Sequence, residues 1–520
     1  MKFSTLRAVA VPLLAGLILQ AVAPSAFASY DFSGIETWLK GQQVPTAAVP
    51  FNDPGSFYYS FQTTPTDPRV IGADSLNQFA NTYDNAMVGL YSLASGVSGG
   101  AARAQSILTF YSKYNTKGDP TGLVYKSNQE FYASTGELVW MGMLAAQYEN
   151  KTGDHQFNAM LQADDNYLLD PAMNLNGGVR LGHDYTGAAS GGASTENNID
   201  VLSYLEMRYQ MLMARNAPGD AAEAQKLRTR QLAVAKWIVN DAYIPSEGRL
   251  RRGEQDNVFA ADTHFWAIDS FTQLKTWDPS FYTSSGLSVI DLPKLMRYAE
   301  AHAQATVPYL KPDGTTVPIT GFRFTDETNL TATQANAPIS FEWTAMAARA
   351  YDALGETANA AGVRANLAKA EITGPNGSQS WAYASQPGMT FYDGWYATAY
   401  PALASTLWSA LALSGTAANW PFSFGTKAPA DPSTSTQPTQ PTPPVRRRPG
   451  PNPLPIPHPL PNPRGLFSMV VGAKSPSDNY VPLKSAAGLA RLQANFRDNG
   501  TLPSVGNNDP TVSPHDVLLP

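Results

Sequence analysis

The sequence predicts an all-α protein whose helices close into a toroid. Apolar residues recur with a helical period over most of the first 424 residues, and stretches with strand alternation are few and short. Helix pairs recur at intervals of roughly 50 residues, the scale of an array of helical hairpins. Similar loops rich in Gly, Asp, Tyr and Trp precede alternate helices, although no repeat consensus is present. A closed ring of six hairpins therefore fits better than an open solenoid.

The helices are marked by apolar residues at positions i, i+3, i+4 and i+7. One such series starts at Tyr83 and another at Trp343, and each has the spacing of an amphipathic helix packed on one side. Further helices are predicted over residues 137–148, 200–213, 221–240, 292–305 and 402–413. Glycine-containing turn sequences separate them. A short strand pattern covers residues 317–324.

The first 28 residues have the pattern of a secretory signal peptide. Lys2 and Arg7 precede an apolar run over residues 8–23, and a small-x-small cleavage site ends at Ala28. We therefore expect an exported protein, periplasmic or secreted, after cleavage near Ala28. No other window approaches the roughly 20 apolar residues that span a bilayer, so no membrane span is predicted. The chain has no cysteine, so its stability after export rests on packing.

Three further segments follow the predicted signal peptide. Residues 29–424 are patterned as one large toroid domain, whereas residues 425–464 are rich in Pro, Thr and Ser and favour extended polyproline conformations. Residues 465–520 are polar and are predicted to be a weakly ordered tail. Three arginines, Arg446, Arg447 and Arg448, lie in the Pro-rich linker. They either keep the linker solvated or contact an acidic polymer or the cell envelope.

Composition narrows the class of partner. The net charge is −6 and the isoelectric point is near 5.6, which argues against nucleic acid as a partner. Charged residues make up only 15% of the chain and aromatic residues 11%, which suits a surface that binds neutral, hydroxyl-rich ligands. A polysaccharide or oligosaccharide is the expected partner.

The most informative motif is the stretch 194–200, which lies between a Gly-rich loop and an apolar helical run. Ser194 or Thr195 can cap that helix, which places Glu196 in its first turn. Asp200 lies four residues on, on the same helix face. Two carboxylates at a helix N-terminus are typical of a sugar-processing cleft, but they are also the acids that the helix dipole favours.

Related loops precede the other predicted inner helices, at residues 81–86, 134–137, 261–266, 341–344 and 391–396. In order, the motifs are Tyr-Asp-x-Ala at 83–86, Gly-Glu-x-x-Trp at 136–140, Ser-Thr-Glu-x-Asn-x-Asp at 194–200, Asp-Thr-x-x-Trp at 262–266, Phe-Glu-x-Thr at 341–344 and Thr-Ala-Tyr-Pro-Ala at 398–402. Their order resembles that of secreted bacterial six-hairpin, (α/α)6-toroid proteins of the glycoside-hydrolase type, over residues 30–424. That group includes hydrolases, polysaccharide lyases and sugar epimerases, so the resemblance implies the architecture better than the reaction.

Glycoside hydrolysis needs one protonated carboxylic acid and one carboxylate. Glu196 is the predicted first member of that pair, because a neighbouring like charge at Asp200 would raise its pKa. Its partner is Asp262, Glu342 or Asp84, and the sequence does not choose among them. Each lies at a predicted helix start, either next to an aromatic residue or within a few residues of one. Each of these three could instead be a first-turn acid with a structural role.

Side chains near these acids are candidates for substrate binding. Pyranose rings stack on aromatic side chains, and the aromatic candidates near the loop motifs are Trp140, Trp266, Trp343, Tyr392 and Trp395. His183 and His264 lie close to the same loops, and a lyase or epimerase would use them for proton transfer. No metal site and no cofactor are predicted, because the chain has no thiol and no His-Glu-x-x-His spacing.

Two functions from different classes remain open from the sequence. In the first, the protein is an exported glycoside hydrolase that cleaves a polysaccharide, as the acid-rich loops favour. In the second, it is a non-catalytic accessory protein that binds or guides an exopolysaccharide during synthesis or export, as the Pro-rich linker favours. Polysaccharide lyase or sugar epimerase activity on the same fold is a further alternative.

Overall fold

The structure of the protein is a computed structural model. It describes residues 30–44, 56–63, 70–71, 74–76, 79–114, 123–128, 130, 132–184, 187–326, 337–390 and 396–415. The predicted signal peptide (1–28), the Pro-rich linker (425–464) with Arg446, Arg447 and Arg448, and the tail (465–520) lie outside the described residues. What the sequence predicts for these segments, and the predicted domain boundary at residue 424, therefore stay predictions.

Helices dominate the described residues. They are α1 Ser33–Gln42, α2 Thr82–Ala94, α3 Gly100–Tyr114, α4 Thr135–Thr152, α5 Asn158–Leu169, α6 Thr195–Arg215, α7 Asp220–Trp237, α8 Ala261–Trp277, α9 Pro279–Ser284, α10 Leu292–Ala303, α11 Phe341–Ala353, α12 Thr357–Ala370 and α13 Leu403–Ser414. A π-helical turn, Ile238–Ala242, continues α7.

The strands are short, and most are two-residue pairs in the connections. They are β1 Val70–Ile71, β2 Asp74–Ser75, β3 Asn174–Leu175, β4 Gly178–Val179, β5 Gly182–His183, β6 Ala189–Ser190, β7 Tyr243–Ile244, β8 Arg249–Leu250, β9 Gln304–Leu310, β10 Thr316–Arg323, β11 Ile339–Ser340, β12 Ile372–Thr373, β13 Gln379–Ser380, β14 Gly388–Met389 and β15 Tyr396–Ala397. The antiparallel hairpin β9–β10 is the longest, and β11 pairs with the other edge of β10.

Six helices form a closed inner ring in the order α2, α4, α6, α8, α11 and α13. Each contacts the next, and α13 contacts α2. The helices α3, α5, α7, α10 and α12 form an outer layer packed against the inner ring. Helix α1 takes the sixth outer position, since it packs on β13 and Glu36 forms an ion pair with Arg103 of α3. The predicted all-α, (α/α)6 toroid is confirmed.

Burial explains which helices lie inside. The inner helices are apolar or small on nearly every face, and eleven of the twelve residues of α13 are buried. The outer helix α10 is amphipathic and buries only Leu295, Met296, Ala299 and Ala303. Small residues let the inner helices approach: a side chain at Gly89 of α2 would collide with Leu144 of α4. The inner ring is therefore the hydrophobic core.

Backbone hydrogen bonds tie the N-terminal ends of the inner helices into a ring. The first N–H of each inner helix donates to a carbonyl in the segment that leads into the next inner helix. The donor and acceptor pairs are Thr82 and Lys126 (2.9 Å), Thr135 and Leu181 (2.8 Å), Thr195 and Arg252 (2.8 Å), Ala261 and Phe324 (3.0 Å), Phe341 and Tyr383 (3.3 Å), and Leu403 and Ser60 (2.9 Å). These amides have no acceptor within their own helix, so the carbonyls of the neighbouring segments satisfy them. All six inner helices thus begin on the same face of the toroid.

A second set of bonds fixes the segment that enters each helix. In five inner helices the fourth residue, which we call the clamp residue, accepts a hydrogen bond from a backbone N–H of that segment. The clamp residues and their donors are Asn85 and Tyr58 (2.7 Å), Asn198 and Val179 (2.7 Å), His264 and Leu250 (2.9 Å), Thr344 and Phe322 (2.9 Å), and Thr406 and Trp381 (3.0 Å). In α4 the fourth residue is Leu138.

The predicted helices are present, with bounds that differ by a few residues. The predicted helix 200–213 is part of α6, which begins earlier, at Thr195, with Ser194 as its N-cap. The predicted helix 292–305 is α10, which ends at Ala303 because β9 begins at Gln304. The predicted strand 317–324 is β10. Among the described residues, no helix combines the length and apolar character needed to cross a bilayer.

Candidate active site

Acidic side chains lie in the first turn of five inner helices. Each is the second or third residue of its helix, so all five point to the face of the toroid on which the helices begin. They are Asp84 in α2, Glu137 in α4, Glu196 in α6, Asp262 in α8 and Glu342 in α11. Helix dipoles favour acids at this position. The six-fold arrangement of helices thus brings together carboxylates that are far apart in sequence.

A cleft opens at this face between the starts of α6, α8 and α11. It encloses about 560 Å³ of space that is continuous with solvent. Its polar and aromatic lining consists of Ser194, Glu196, Arg252, Glu254, Asp256, Asp262, Thr263 and Trp343. Glu196 is partly exposed there, while Asp262 is only 3% exposed. Two of the predicted catalytic carboxylates therefore share one cleft, on neighbouring inner helices.

The two carboxyl groups differ in how strongly they hold a proton. Burial raises the pKa of Glu196 well above its usual range, and the nearby charges of Asp262, Asp200 and Glu342 raise it further. Burial also raises the pKa of Asp262, but hydrogen bonds from Thr263 act against burial and leave that pKa at about 6. Burial and neighbouring carboxyl groups therefore favour the protonated form of Glu196 more strongly than that of Asp262. A carboxyl group that holds its proton strongly and one that ionises more readily face the same space.

Asp200 lies one turn deeper in the ring and is only 1% exposed. The indole Nε1 of Trp266 donates to its Oδ1 at 2.7 Å. Burial raises the pKa of Asp200 well above its usual range, although hydrogen bonds from Trp266 and Trp140 lower it in part. Asp200 contributes to the raised pKa of Glu196 and does not line the cleft.

The prediction that Trp140 and Trp266 bind sugar is corrected by their burial. Their rings stack with centroids 5.4 Å apart, and Trp408 packs edge-on against both at 6.1–6.2 Å. All three are 4% exposed or less, so they fill the centre of the ring beneath Asp200. Trp343 differs, because it is partly exposed and lines the cleft, packed against Phe324 at 4.6 Å.

Glu342 and Asp84 lie behind the cleft rather than in its lining. The Tyr83 hydroxyl donates to Glu342 Oε1 at 2.6 Å and itself accepts from Trp408 Nε1 at 2.7 Å. Burial raises the pKa of Glu342 to about 8 and that of Asp84 to about 7. A hydrogen bond from Ser60 limits the rise for Asp84. Both groups lie behind the cleft, where their charges can influence the carboxyl groups that line it.

The two predicted histidines do not line the cleft. His264 is fully buried as the clamp residue of α8: its Nε2 accepts from Leu250 N–H and its Nδ1 donates to the carbonyl of Leu295 at 3.0 Å. Burial lowers the pKa of His264 to about 3, so the ring is neutral. His183, in β5, packs edge-on against Tyr167 at 5.0 Å. A substrate-binding role for either histidine is not supported by these positions.

The remaining predicted residues and one unpredicted acid complete the site. Tyr392 and Trp395 lie outside the described residues. Glu137 was not predicted as a site residue, yet it is partly exposed and accepts a hydrogen bond from the Ser134 hydroxyl. Glu137 could have been recognised in the sequence by the same feature as Asp84, since each is an acidic residue at the third position of an inner helix. In the described part of the chain, no three His, Asp or Glu side chains form a group that could hold a metal ion.

The chain is similar to several solved structures. A sugar epimerase from a ruminal bacterium aligns with a TM-score of 0.51 at 12% identity, over 74% of this chain and 97% of that chain. A family 76 glycoside hydrolase (mannosidase) from Bacteroides thetaiotaomicron aligns with a TM-score of 0.45 at 11% identity, over 74% of this chain and 96% of that chain. A glycosidase in complex with glucose aligns with a TM-score of 0.45 at 13% identity, over 70% and 92% of the two chains.

No sequence family and no curated protein matches the chain. The structural likeness to the sugar epimerase shows the (α/α)6-toroid fold, as the order of the motifs predicted. At these identities the fold does not specify the reaction. Evidence on the reaction therefore comes from the carboxyl groups of the cleft.

Proposed function

We propose that the protein is an exported glycoside hydrolase that cleaves a polysaccharide by carboxylate acid–base catalysis. The observation that carries this proposal is the pairing of Glu196 and Asp262 in one cleft with pKa values raised to different degrees. Two carboxyl groups in different protonation states are what glycoside hydrolysis requires. Export is proposed from the signal-peptide pattern of residues 1–28.

Glu196 is the proposed general acid, which donates its proton to the oxygen of the scissile glycosidic bond. Its raised pKa keeps the proton available at pH values at which an ordinary glutamate has lost it. Asp262 is the proposed carboxylate partner, ionised above about pH 6. Trp343 offers an indole face at the cleft on which the C–H face of a sugar ring can stack.

The histidine-based alternatives receive less support from the same geometry. His264, which the sequence offered for proton transfer in a lyase or epimerase, is instead fixed by backbone partners on both ring nitrogens. The accessory-protein hypothesis predicts binding without turnover, so a turnover assay separates it from the hydrolase hypothesis.

The deciding experiment is a reducing-sugar assay on a panel of bacterial and plant polysaccharides. We expect Glu196→Gln and Asp262→Asn each to lower turnover by about 100-fold or more, the usual effect of losing a positioned acid or base. Glu223→Gln, on the outer helix α7 beside Lys226, removes the same charge far from the cleft and is the matched control. Wild-type activity should rise as the pH passes about 6, where Asp262 ionises, and should fall again as the pH is raised further and Glu196 loses its proton.

Two outcomes would contradict the proposal. If Glu196→Gln and Asp262→Asn both keep full activity on a substrate that the wild type cleaves, these residues are not the catalytic pair. If the wild type binds a polysaccharide through the cleft and cleaves none of the panel, the accessory function replaces the hydrolase.

A further inference from the structure

One carboxylate of the cleft has no role in the proposed chemistry. Glu254 lies in the segment between β8 and α8, lines the cleft and is partly exposed. The side-chain amide of Asn176 donates to Glu254 Oε1 at 3.2 Å, and the Glu254 backbone N–H donates to the carbonyl of Ala193 at 2.8 Å. Glu254 is therefore held on the same wall as Ser194, the N-cap residue that precedes Glu196.

Space is left open beside this carboxylate. Gly192 faces it across the cleft wall, and a side-chain carbon added there would come within 4.0 Å of Glu254 Oε2. The glycine thus leaves room for a ligand group next to a fixed negative charge.

The charges of the lining leave an excess of carboxylate. Arg252 is the basic residue in the described lining of the cleft, and its Nε donates to Asp256 Oδ2 at 2.6 Å. The guanidinium also acts on Asp262, whose pKa it lowers. The lining thus holds four carboxyl groups, those of Glu196, Glu254, Asp256 and Asp262, against one guanidinium. This excess of acid disfavours anionic sugars and favours cationic ones.

We propose that the cleft binds a glycan whose sugar units carry free amino groups, with an ammonium group held against the Glu254 carboxylate. This inference rests on the proposed function, because it names the substrate class of the same cleft. An ammonium group in the space beside Gly192 would form a charge-assisted hydrogen bond with Glu254 Oε2. An N-acetylated sugar has no charge to offer at that position, and a uronic acid would be repelled.

The test uses soluble amino-sugar polymers of several linkages, each compared with its own N-acetylated form and with a polyuronate. Binding is measured by titration calorimetry and cleavage by release of reducing ends, for the wild type, Glu254→Gln and the control Glu223→Gln. We expect the wild type to bind at least one amino polymer about tenfold more tightly than its N-acetylated form. Glu254→Gln should reduce that preference about three- to tenfold, the effect of one partly buried ion pair. Added salt should reduce it as well.

The outcomes separate this inference from the proposed function. If a neutral polymer is cleaved with full dependence on Glu196, and amino polymers bind no better than their N-acetylated forms, the inference fails and the hydrolase proposal stands. If amino polymers bind in a Glu254-dependent manner and none is cleaved, the substrate class stands and the hydrolase proposal fails. Equal preference in Glu254→Gln and wild type, or no binding of any amino polymer, overturns the inference.

Discussion

His264 offers a quantitative test of the ring of clamp residues. Its imidazole is fully buried, and burial lowers the pKa of His264 to about 3, against about 6.5 in an unfolded chain. The folded state therefore binds fewer protons than the unfolded state between these two values. The stability that this neutral histidine confers is complete above about pH 6.5 and is lost as the pH falls toward 3.

The substitution His264→Asn removes this titration and keeps a clamp, because Asn85 and Asn198 accept the equivalent backbone hydrogen bond in α2 and α6. Each pH unit below 6.5 lowers the wild-type free energy of unfolding by about 1.4 kcal/mol relative to the variant. Between about pH 8 and about pH 5, the difference in unfolding free energy should therefore move by about 2 kcal/mol in favour of His264→Asn.

Urea unfolding at the two pH values, followed by tryptophan fluorescence, measures this difference. His155→Asn is the matched control, since the His155 side chain is 55% exposed beside Glu149 and is not a clamp residue. A difference for His264→Asn that stays constant with pH would refute a neutral, buried clamp histidine. If His264→Asn remains fully folded but loses turnover, the result would instead support the predicted substrate-binding role of His264.

Two further predictions concern Trp343 and Glu342. Trp343→Ala should weaken polysaccharide binding about tenfold, because Trp343 lines the cleft and is partly exposed there. Unchanged affinity by calorimetry would contradict a sugar platform. Glu342→Gln should gain stability relative to the wild type as the pH rises from about 4.5 to about 8, by at most about 1.4 kcal/mol per unit, because burial raises the pKa of Glu342 to about 8. Parallel stability curves in urea would contradict this reading of Glu342.

Helical periodicity predicted five of the six inner helices, α2, α4, α6, α11 and α13, and the outer helices α7 and α10. It did not predict α12, which is rich in alanine and buries only Ala360, Val363, Leu367 and Ala370. It also missed β9, since the chain passes from helix to strand at Gln304 without a turn sequence between them. The inner helix α8 was indicated only by the loop motif at residues 261–266.

For the site, the sequence placed the acids correctly at helix starts but did not rank them. Glu196, Asp262 and Glu342 share the second position of their helices, and which of them lines the cleft depends on the packing of neighbouring loops. The same limit applies to Trp140 and Trp343. An aromatic residue near a helix start can face the open cleft or the closed centre of the ring, and only the tertiary structure decides between them.

The raised pKa values are a consequence of the fold itself. A ring of inner helices that begin on one face brings first-turn acids together, and burial with like charges makes it costly for all of them to ionise. Asp84, Asp200 and Glu342 are less exposed than Glu196, and burial is the largest cause of the raised pKa of each.

This crowding has opposite effects on activity and on stability. It keeps Glu196 protonated at a pH where a free glutamate would be ionised, which is the state a general acid requires. Carboxyl groups with raised pKa values also favour the folded state most at low pH, and that contribution is lost as the pH rises through their folded pKa values. For Asp84 and Glu342 this range extends to about 7 and about 8. The arrangement that favours the protonated form of Glu196 therefore makes the toroid most sensitive to rising pH at the face that carries the cleft.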